Sequence, residues 1–214
     1  DVMKLRKGEP KWDERDRFTI GKGHAAVGLF PIYADLGFFP KEWLDDYTRL
    51  GSPLGDHPDM RKVPGVDFSS GSIGHALSNA IGITVAQRWT GKDYTVFCMM
   101  GDGEMQEGQV WEAALSAAKF RLDNLTVILD YNKLQIDGFT RDVMNLEPLA
   151  DKWRAFGWHV ITIDGHNYRQ IIGALDEARQ VQGRPTYIIA HTIKGKGVSF
   201  MEEQVGWHGV APNR

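Results

Sequence analysis

Thr95-Val-Phe-Cys-Met-Met100 runs directly into Gly101-Asp102-Gly103, and Leu125-Thr-Val-Ile-Leu-Asp-Tyr131 runs directly into Asn132. Both apolar runs are short and bounded by turn residues, which marks them as buried strands. Met105 to Lys119 lies between them, with Trp111, Leu115 and Ala118 at helical spacing, and reads as a helix. The resulting strand–helix–strand unit puts a carboxylate and an amide oxygen at the C-terminal ends of two strands. Open α/β sheets bind their ligands at that edge.

The chemistry of such an edge can be worked out from the residue types. Gly101 and Gly103 let the backbone turn sharply and approach a ligand closely. The start of a helix favours an anion through its free N–H groups and its partial positive charge. Asp102 would repel that anion. A hard cation between the two removes the conflict, and Mg²⁺ or Ca²⁺ takes roughly six oxygens. Asp102, Asn132 and the main-chain carbonyl near Leu134 can supply three, and a diphosphate two more. Taken singly, Gly-Asp-Gly is a turn and Asn132 a strand end; the order and the context carry the metal–diphosphate reading.

Outward from this unit the pattern stays α/β. Ala25 to Leu36 and Pro40 to Leu50 read as helices, and Gly51 to Asp67 as a long loop rich in Pro and Gly. Gly74 to Trp89 is a helix lined with small residues (Ala76, Ala80, Gly82, Ala86), which implies close packing. A helix over Pro148 to Phe156, a strand over His159 to Ile163, an amphipathic helix over Asn167 to Gln182 and a strand over Thr186 to Ala190 follow. Gly195 to Arg214 is a Gly-rich tail that can serve as a lid. Alternating strands and helices predict a mostly parallel sheet with helices on both faces.

Composition narrows the class. A chain of 214 residues with 42% hydrophobic content suits one α/β domain with a sizeable core. A net charge of −3, with Lys and Arg dispersed among acids, gives no sign of nucleic acid or a membrane surface as partner. The single Cys98 lies in a predicted buried strand and cannot form an internal disulfide, which points to a reducing cytoplasm. No apolar run approaches the roughly 20 residues of a membrane span, and no signal peptide is visible. No His-x-x-x-His or Cys cluster suggests zinc. The chain opens at Asp1 inside an element (Val2, Met3, Leu5) and is expected to be truncated at both ends.

Gly101-Asp102-Gly103, followed after 28 intervening residues by Asn132, resembles the thiamine diphosphate motif. The pattern often ends in paired Asn, and Tyr131 stands here in place of the first. Further segments resemble transketolase. They are Asp16-Arg-Phe-Thr-Ile-Gly-Lys-Gly-His-Ala25; Gly55-Asp-His-Pro-Asp59, with Asp56 inserted; Ser69 to Gly82; and Gly206-Trp-His-Gly209. Gly103 to Ala113 holds Glu107 and Glu112 in the transketolase arrangement. The upstream Gly-His-Pro-Gly segment of that family has no match here.

The resemblance implies a thiamine diphosphate-binding fold, and specifically its diphosphate-binding domain over residues 1–214. Thiamine diphosphate would be held with Mg²⁺ or Ca²⁺. It assigns Asp102, Asn132 and Leu134 to the metal, and Gly71, Ile73, Gly101, Asp102, Gly103, Glu104, Asn132 and His208 to the cofactor. His24, His57, His208 and Glu107 become the catalytic set. His24 and His57 would bind substrate oxygens and move protons with near-neutral pKa values, and Glu107 would couple two active sites. His75 holds a Gln-like helix position, and His191 ends a strand at the ligand edge; His159 and His166 match nothing.

The implied reaction is transfer of a two-carbon ketol unit from a ketose phosphate to an aldose phosphate. The Glu that activates thiamine belongs to a pyrimidine-binding domain, for which 214 residues leave no room. A separate C-terminal subunit, or the remainder of a longer chain, is the implied partner, in a dimer or heterotetramer. Two other thiamine enzymes fit less well: the deoxyxylulose phosphate synthase type and the 2-oxo acid dehydrogenase alpha subunit. The Gly-His-Ala and His-Pro-Asp segments favour transketolase over both. A non-catalytic assembly subunit would have lost Asp102, Asn132, His24 or His57, and all four are present.

Overall fold

The computed structural model describes residues 2–211. Residues 212–214, the end of the predicted tail, and Asp1 lie outside the described residues. Five parallel strands form one sheet: β1 (Arg17–Ile20), β2 (Val96–Gly101), β3 (Leu125–Tyr131), β6 (His159–Asp164) and β7 (Thr186–His191). Their spatial order is β1-β2-β3-β7-β6. A small antiparallel ladder, β4 (Leu134–Gln135) and β5 (Gly138–Phe139), stands apart after the end of β3 and leads into a single helical turn, α4 (Thr140–Val143).

Alternation along the strands sends side chains to two faces, and helices cover both. On one face Val96, Cys98 and Met100 of β2, with Leu125, Val127 and Leu129 of β3, pack under α2 (His75–Thr90), α3 (Gly108–Lys119) and α5 (Leu149–Ala155). The aromatic centre of this core is Trp153 stacked on Tyr187, ring centroids 3.7 Å apart, with Trp158 edge-on to both. The Trp158 indole N–H donates to the carbonyl of Ala114 at 3.0 Å, so the buried polar atom is satisfied. On the other face α6 (Tyr168–Gln180) covers β6 and β7, and α1 (Ala26–Asp35) packs with Ile20 and the loop beyond it.

Three local differences from the sequence reading have physical causes. Arg17–Ile20 is a strand, although it is only four residues long and flanked by charge. Its neighbour β2 supplies the pairing, Arg17↔Val96 through Ile20↔Met99. The predicted helix over Pro40 to Leu50 is a short 3₁₀ segment, Lys41–Asp46. It buries no residue, so nothing stabilises a longer helix.

The third difference lies at the site. The helix expected from Met105 is interrupted: Gly103–Gln106 is a 3₁₀ turn, Glu107 is extended (φ −72°, ψ 127°), and α3 begins at Gly108. Met105 is drawn into the core, where its sulfur accepts from the Tyr187 hydroxyl at 2.9 Å. The helix start that sequence places beside Asp102 is therefore this short turn, with α3 one turn further on.

Two further contacts set the loops. Arg15, 6% exposed, makes a two-pronged pair with Asp67 at 2.6 and 2.9 Å. Asp67 also accepts the backbone N–H of Phe18 at 3.0 Å. The end of the Pro-rich loop is thereby fastened to β1. Between α2 and α3 the approach is close. Gly74 has φ +86°, and a Cβ there would lie 2.8 Å from Cβ of Glu107, so only glycine fits.

Candidate active site at the C-terminal edge of the sheet

Because all five strands run the same way, their C-terminal ends gather loops from distant parts of the chain at one edge. A cavity of about 350 Å³ opens there. Of the residues expected from sequence, His24, Ile73, Gly101, Asp102, Gly103, Glu104, Glu107, Asn132, Leu134 and His208 line it. His57 and Gly71 do not line the cavity but stand beside Gly23, which comes from the same loop as His24. The His57 ring would lie 2.9 Å from a Cβ on Gly23 and 3.5 Å from one on Gly71. Glu112, His75 and His191 are not part of the cavity wall.

Asp102 is 2% exposed and caps the 3₁₀ turn by accepting the N–H of Gly103 at 2.8 Å; its second oxygen accepts the N–H of Lys133. Burial pushes its carboxyl up to about 6, with the nearby Asp130 charge adding to the rise and the two N–H donors opposing it. Lys133 holds φ +65°, a left-handed conformation that costs a non-glycine residue about 1 kcal/mol or more. Its N–H on Asp102 and its carbonyl, which accepts from the Thr140 N–H at 2.9 Å, hold it there. The turn at Lys133, tied to Asp102, sets Asn132 and Leu134 on the wall of the same cavity.

Glu104 is 3% exposed and joins three segments. Its oxygens accept the N–H of Gly74 at 2.8 Å and of Gly101 at 3.1 Å. A Cβ on Gly21 would lie 2.1 Å from its carboxylate. Burial raises its pKa, and the two N–H donors counter the rise.

The basic side of the cavity contains residues that sequence reasoning missed. Lys22 and Lys194 line it beside His24 and His208. Lys22 pairs with Asp130, whose carboxyl is held below the usual range: burial raises it, but the lysine and its hydrogen bonds outweigh burial. Lys194 donates to Nδ1 of His208 at 3.0 Å. Burial, then the charge of Lys22, lowers the pKa of Lys194.

His24, although reached by solvent, is pushed down to about 4, first by desolvation and then by Lys22, His208 and Lys194. His208 is lowered by burial and by Lys194. Both imidazoles are thus neutral near pH 7, and His24 departs from the near-neutral value expected of it. The missed residues left weak signals: Lys22 between Gly21 and Gly23, Lys194 in Lys194-Gly-Lys-Gly197, and Asp130 two residues before Asn132 on one side of β3.

The oxygen donors that line the cavity, the Asp102 carboxylate and the Asn132 amide, are hard and suit Mg²⁺ or Ca²⁺ better than a soft metal. Among the described residues no group of three or more His, Cys, Asp or Glu forms a metal cluster. A cation here would complete its shell with main-chain carbonyls, water or the oxygens of a bound anion, and Lys22 and Lys194 suit such an anion. Cys98 is buried in β2, with its thiol pushed up to about 12 by burial, and takes no part. No helix of the described residues is long and apolar enough to cross a membrane.

A 6-deoxy-6-sulfo-D-fructose transketolase subunit from Clostridium sp. (strain MSTE9) is 46% identical over 209 residues, covering 98% of this chain and 76% of the relative. An apulose-4-phosphate transketolase subunit from Phocaeicola vulgatus is 40% identical over 212 residues, covering 99% and 75%. The crystal structure of transketolase from Campylobacter jejuni superposes with a TM-score of 0.91 at 31% identity, over 95% of this chain. This chain spans 33% of that one, about a third of the solved transketolase. Residues 1–213 match the family described as transketolase, thiamine diphosphate binding domain, and the chain belongs to it.

Proposed function

We propose that this chain is the diphosphate-binding part of a transketolase, moving a two-carbon ketol unit from a ketose phosphate to an aldose phosphate. The observation that carries the reading is that Asp102 and Asn132, at the ends of neighbouring strands, line one cavity together with His24 and His208. Two relatives bear the names of a sulfosugar and a sugar phosphate transketolase, which supports a sugar with an anionic end as substrate.

When bound, thiamine diphosphate supplies the electron sink on which carbon–carbon cleavage depends. The protein's residues do the positioning. Asp102, Asn132 and the carbonyl of Leu134 would hold a divalent cation against the diphosphate. Lys194 and Lys22 would balance its remaining charge, and Gly71 and Ile73 would meet the aminopyrimidine. His24 and His57 would hold substrate oxygens and move their protons. His208, hydrogen-bonded by Lys194, would contact the diphosphate or substrate region, and Glu107, exposed on the cavity lining, would face a partner. The acid that activates thiamine would come from a pyrimidine-binding domain on a separate C-terminal subunit or a further part of the chain, in a dimeric or heterotetrameric assembly. That assembly would work in the cytoplasm.

Calorimetry on the assembled enzyme tests the core of this reading. Asp102→Ala should abolish Mg²⁺-dependent binding of thiamine diphosphate, and unchanged affinity would remove the claim. Product analysis with xylulose phosphate, the sulfonated fructose and pyruvate as donors decides the reaction. Consumption of pyruvate alone would replace ketol transfer by another thiamine reaction.

A further inference from the structure

We infer that Asp130 is a positioning residue for the metal, which it serves by fixing the end of the Asn132 amide that faces the cation. The inference rests on the reading above, in which the cation lies between Asp102 and Asn132. An asparagine side chain ends in an oxygen and an NH₂ of nearly equal shape, and only the oxygen can ligate a cation. Half a turn about the last bond would therefore destroy the ligand without moving the backbone. Something must choose between the two orientations.

The choice is visible in the hydrogen bonds. Asn132 Nδ2 donates to Asp130 Oδ2 at 3.2 Å, and Asn132 Oδ1 accepts the N–H of Leu134 at 3.0 Å. A carboxylate only accepts and a backbone N–H only donates. The reversed amide would set oxygen against carboxylate oxygen and NH₂ against N–H, so both contacts would turn repulsive. The carbonyl oxygen has two lone pairs, and one remains for a cation after Leu134 has taken the other.

Asp130 is itself held by contacts outside β3. Lys22 Nζ, from the loop after β1, pairs with its Oδ2, and the Thr192 hydroxyl, just past β7, donates to its Oδ1. The Lys22 and Asp130 side chains are 17% and 21% exposed. Asp130 pairs in register with Gly101, the residue before Asp102. One carboxylate thus links the loop of His24, the end of β3 that leads into Asn132 and the segment leading to Lys194. Loss of such outer partners of a metal ligand typically costs 10–100-fold in metal affinity.

The test uses the protein purified in the assembly it forms in its own cells, saturated with thiamine diphosphate. Mn²⁺ stands in for Mg²⁺, and its binding is read by electron paramagnetic resonance. Asp130→Asn keeps the size but can turn its own NH₂ toward Asn132; it should weaken Mn²⁺ about 10–100-fold. Adding Asn132→Asp should then restore binding to within a few-fold of native. A carboxylate at 132 has no wrong end, and it accepts from the amide introduced at 130.

A role for Asp130 in the fold alone predicts no such rescue. Native Mn²⁺ affinity in Asp130→Asn, or a double variant no better than the single, overturns the inference. If Asp130→Asn does not fold, Asn132→Asp alone decides. Facing an intact Asp130 carboxylate it should bind Mn²⁺ more weakly than native despite its added charge, and tighter binding overturns the inference. Asp102→Ala separates the two layers. Loss of Mn²⁺ there, with native affinity in Asp130→Asn, sinks only the positioning role, whereas Mn²⁺ binding that survives Asp102→Ala sinks both.

Discussion

The rings of His24 and His208 stand 5.3 Å apart at 37°, in a cavity that also holds Lys22 and Lys194. Desolvation and the crowding of two imidazoles and two ammonium groups resist further positive charge, which is why His24 is pushed down to about 4. Its ordinary value is 6.5, so the folded chain binds fewer protons at His24 than the unfolded chain between those two values. Stability contributed by the neutral imidazole is therefore intact above about pH 6.5 and is lost as pH falls toward 4. Ligand-free protein should melt at progressively lower temperature over that window, and His24→Gln should flatten the slope. An NMR titration placing the His24 midpoint above 6 would sink the argument.

Lys194 affects its neighbour in the same way. His208 is lowered first by burial and then by the Lys194 charge. Lys194→Met should raise the His208 midpoint in an NMR titration, and thiamine diphosphate added to the native protein should raise it too, since phosphate charge opposes that of the lysines. A His208 midpoint that ignores both changes would show that Lys194 does not govern it.

Sequence made the strand–turn–helix–strand unit legible because its apolar runs end abruptly at Gly101 and Asn132, and periodicity reports such boundaries well. It missed β1, where four residues between charged flanks become a strand only because β2 offers a partner. It missed the break at Glu107 because helix periodicity cannot see Met105 being drawn toward Tyr187. Lys22, Asp130 and Lys194 were missed for another reason: their meaning is relational. A lysine between glycines says nothing until β1 and β3 place it over an aspartate from a distant part of the chain. His24, His57 and His208 were legible only through resemblance, since a lone histidine in a loop carries little signal.

Resemblance assigns Glu104 to the cofactor, and the structure gives its carboxylate two backbone donors, Gly74 and Gly101. Glu104→Gln replaces one acceptor by an NH₂ and leaves a buried N–H unpaired, at about 1–3 kcal/mol. For a domain of this size that is about 2–4 °C of melting temperature per kcal/mol. Gly21→Ala should do comparable or greater harm, because its methyl would meet the same carboxylate at 2.1 Å. Calorimetric melting of both variants checks this, and native stability in Glu104→Gln would refute it.

His24 and His57 are both exposed in this chain and lie next to glycines. Replacing either with alanine should lower kcat/KM of the assembled enzyme by about 10²-fold or more. The melting temperature should stay within a few degrees, because such positions carry little packing. A collapse in stability with normal turnover in the surviving soluble protein would make them structural residues instead.

Assembly is the remaining expectation. Trp89, at the end of α2, is 88% exposed, and Leu115 and Phe120, on and just past α3, are 59% and 53% exposed. Together with Glu107, which is exposed and lines the cavity, this is apolar and acidic surface that the domain does not bury itself. On the proposed function the acid that activates thiamine would come from another domain, and closed two-fold assemblies are the commonest way to share such a site. We expect two of these chains with two pyrimidine-binding partners, or the equivalent within a longer chain's dimer. Light scattering on the chain alone and mixed with a pyrimidine-domain partner should show a larger species, and turnover of ketose phosphate should appear only in the mixture. A chain that stays monomeric and turns over ketose phosphate unaided would refute the shared site.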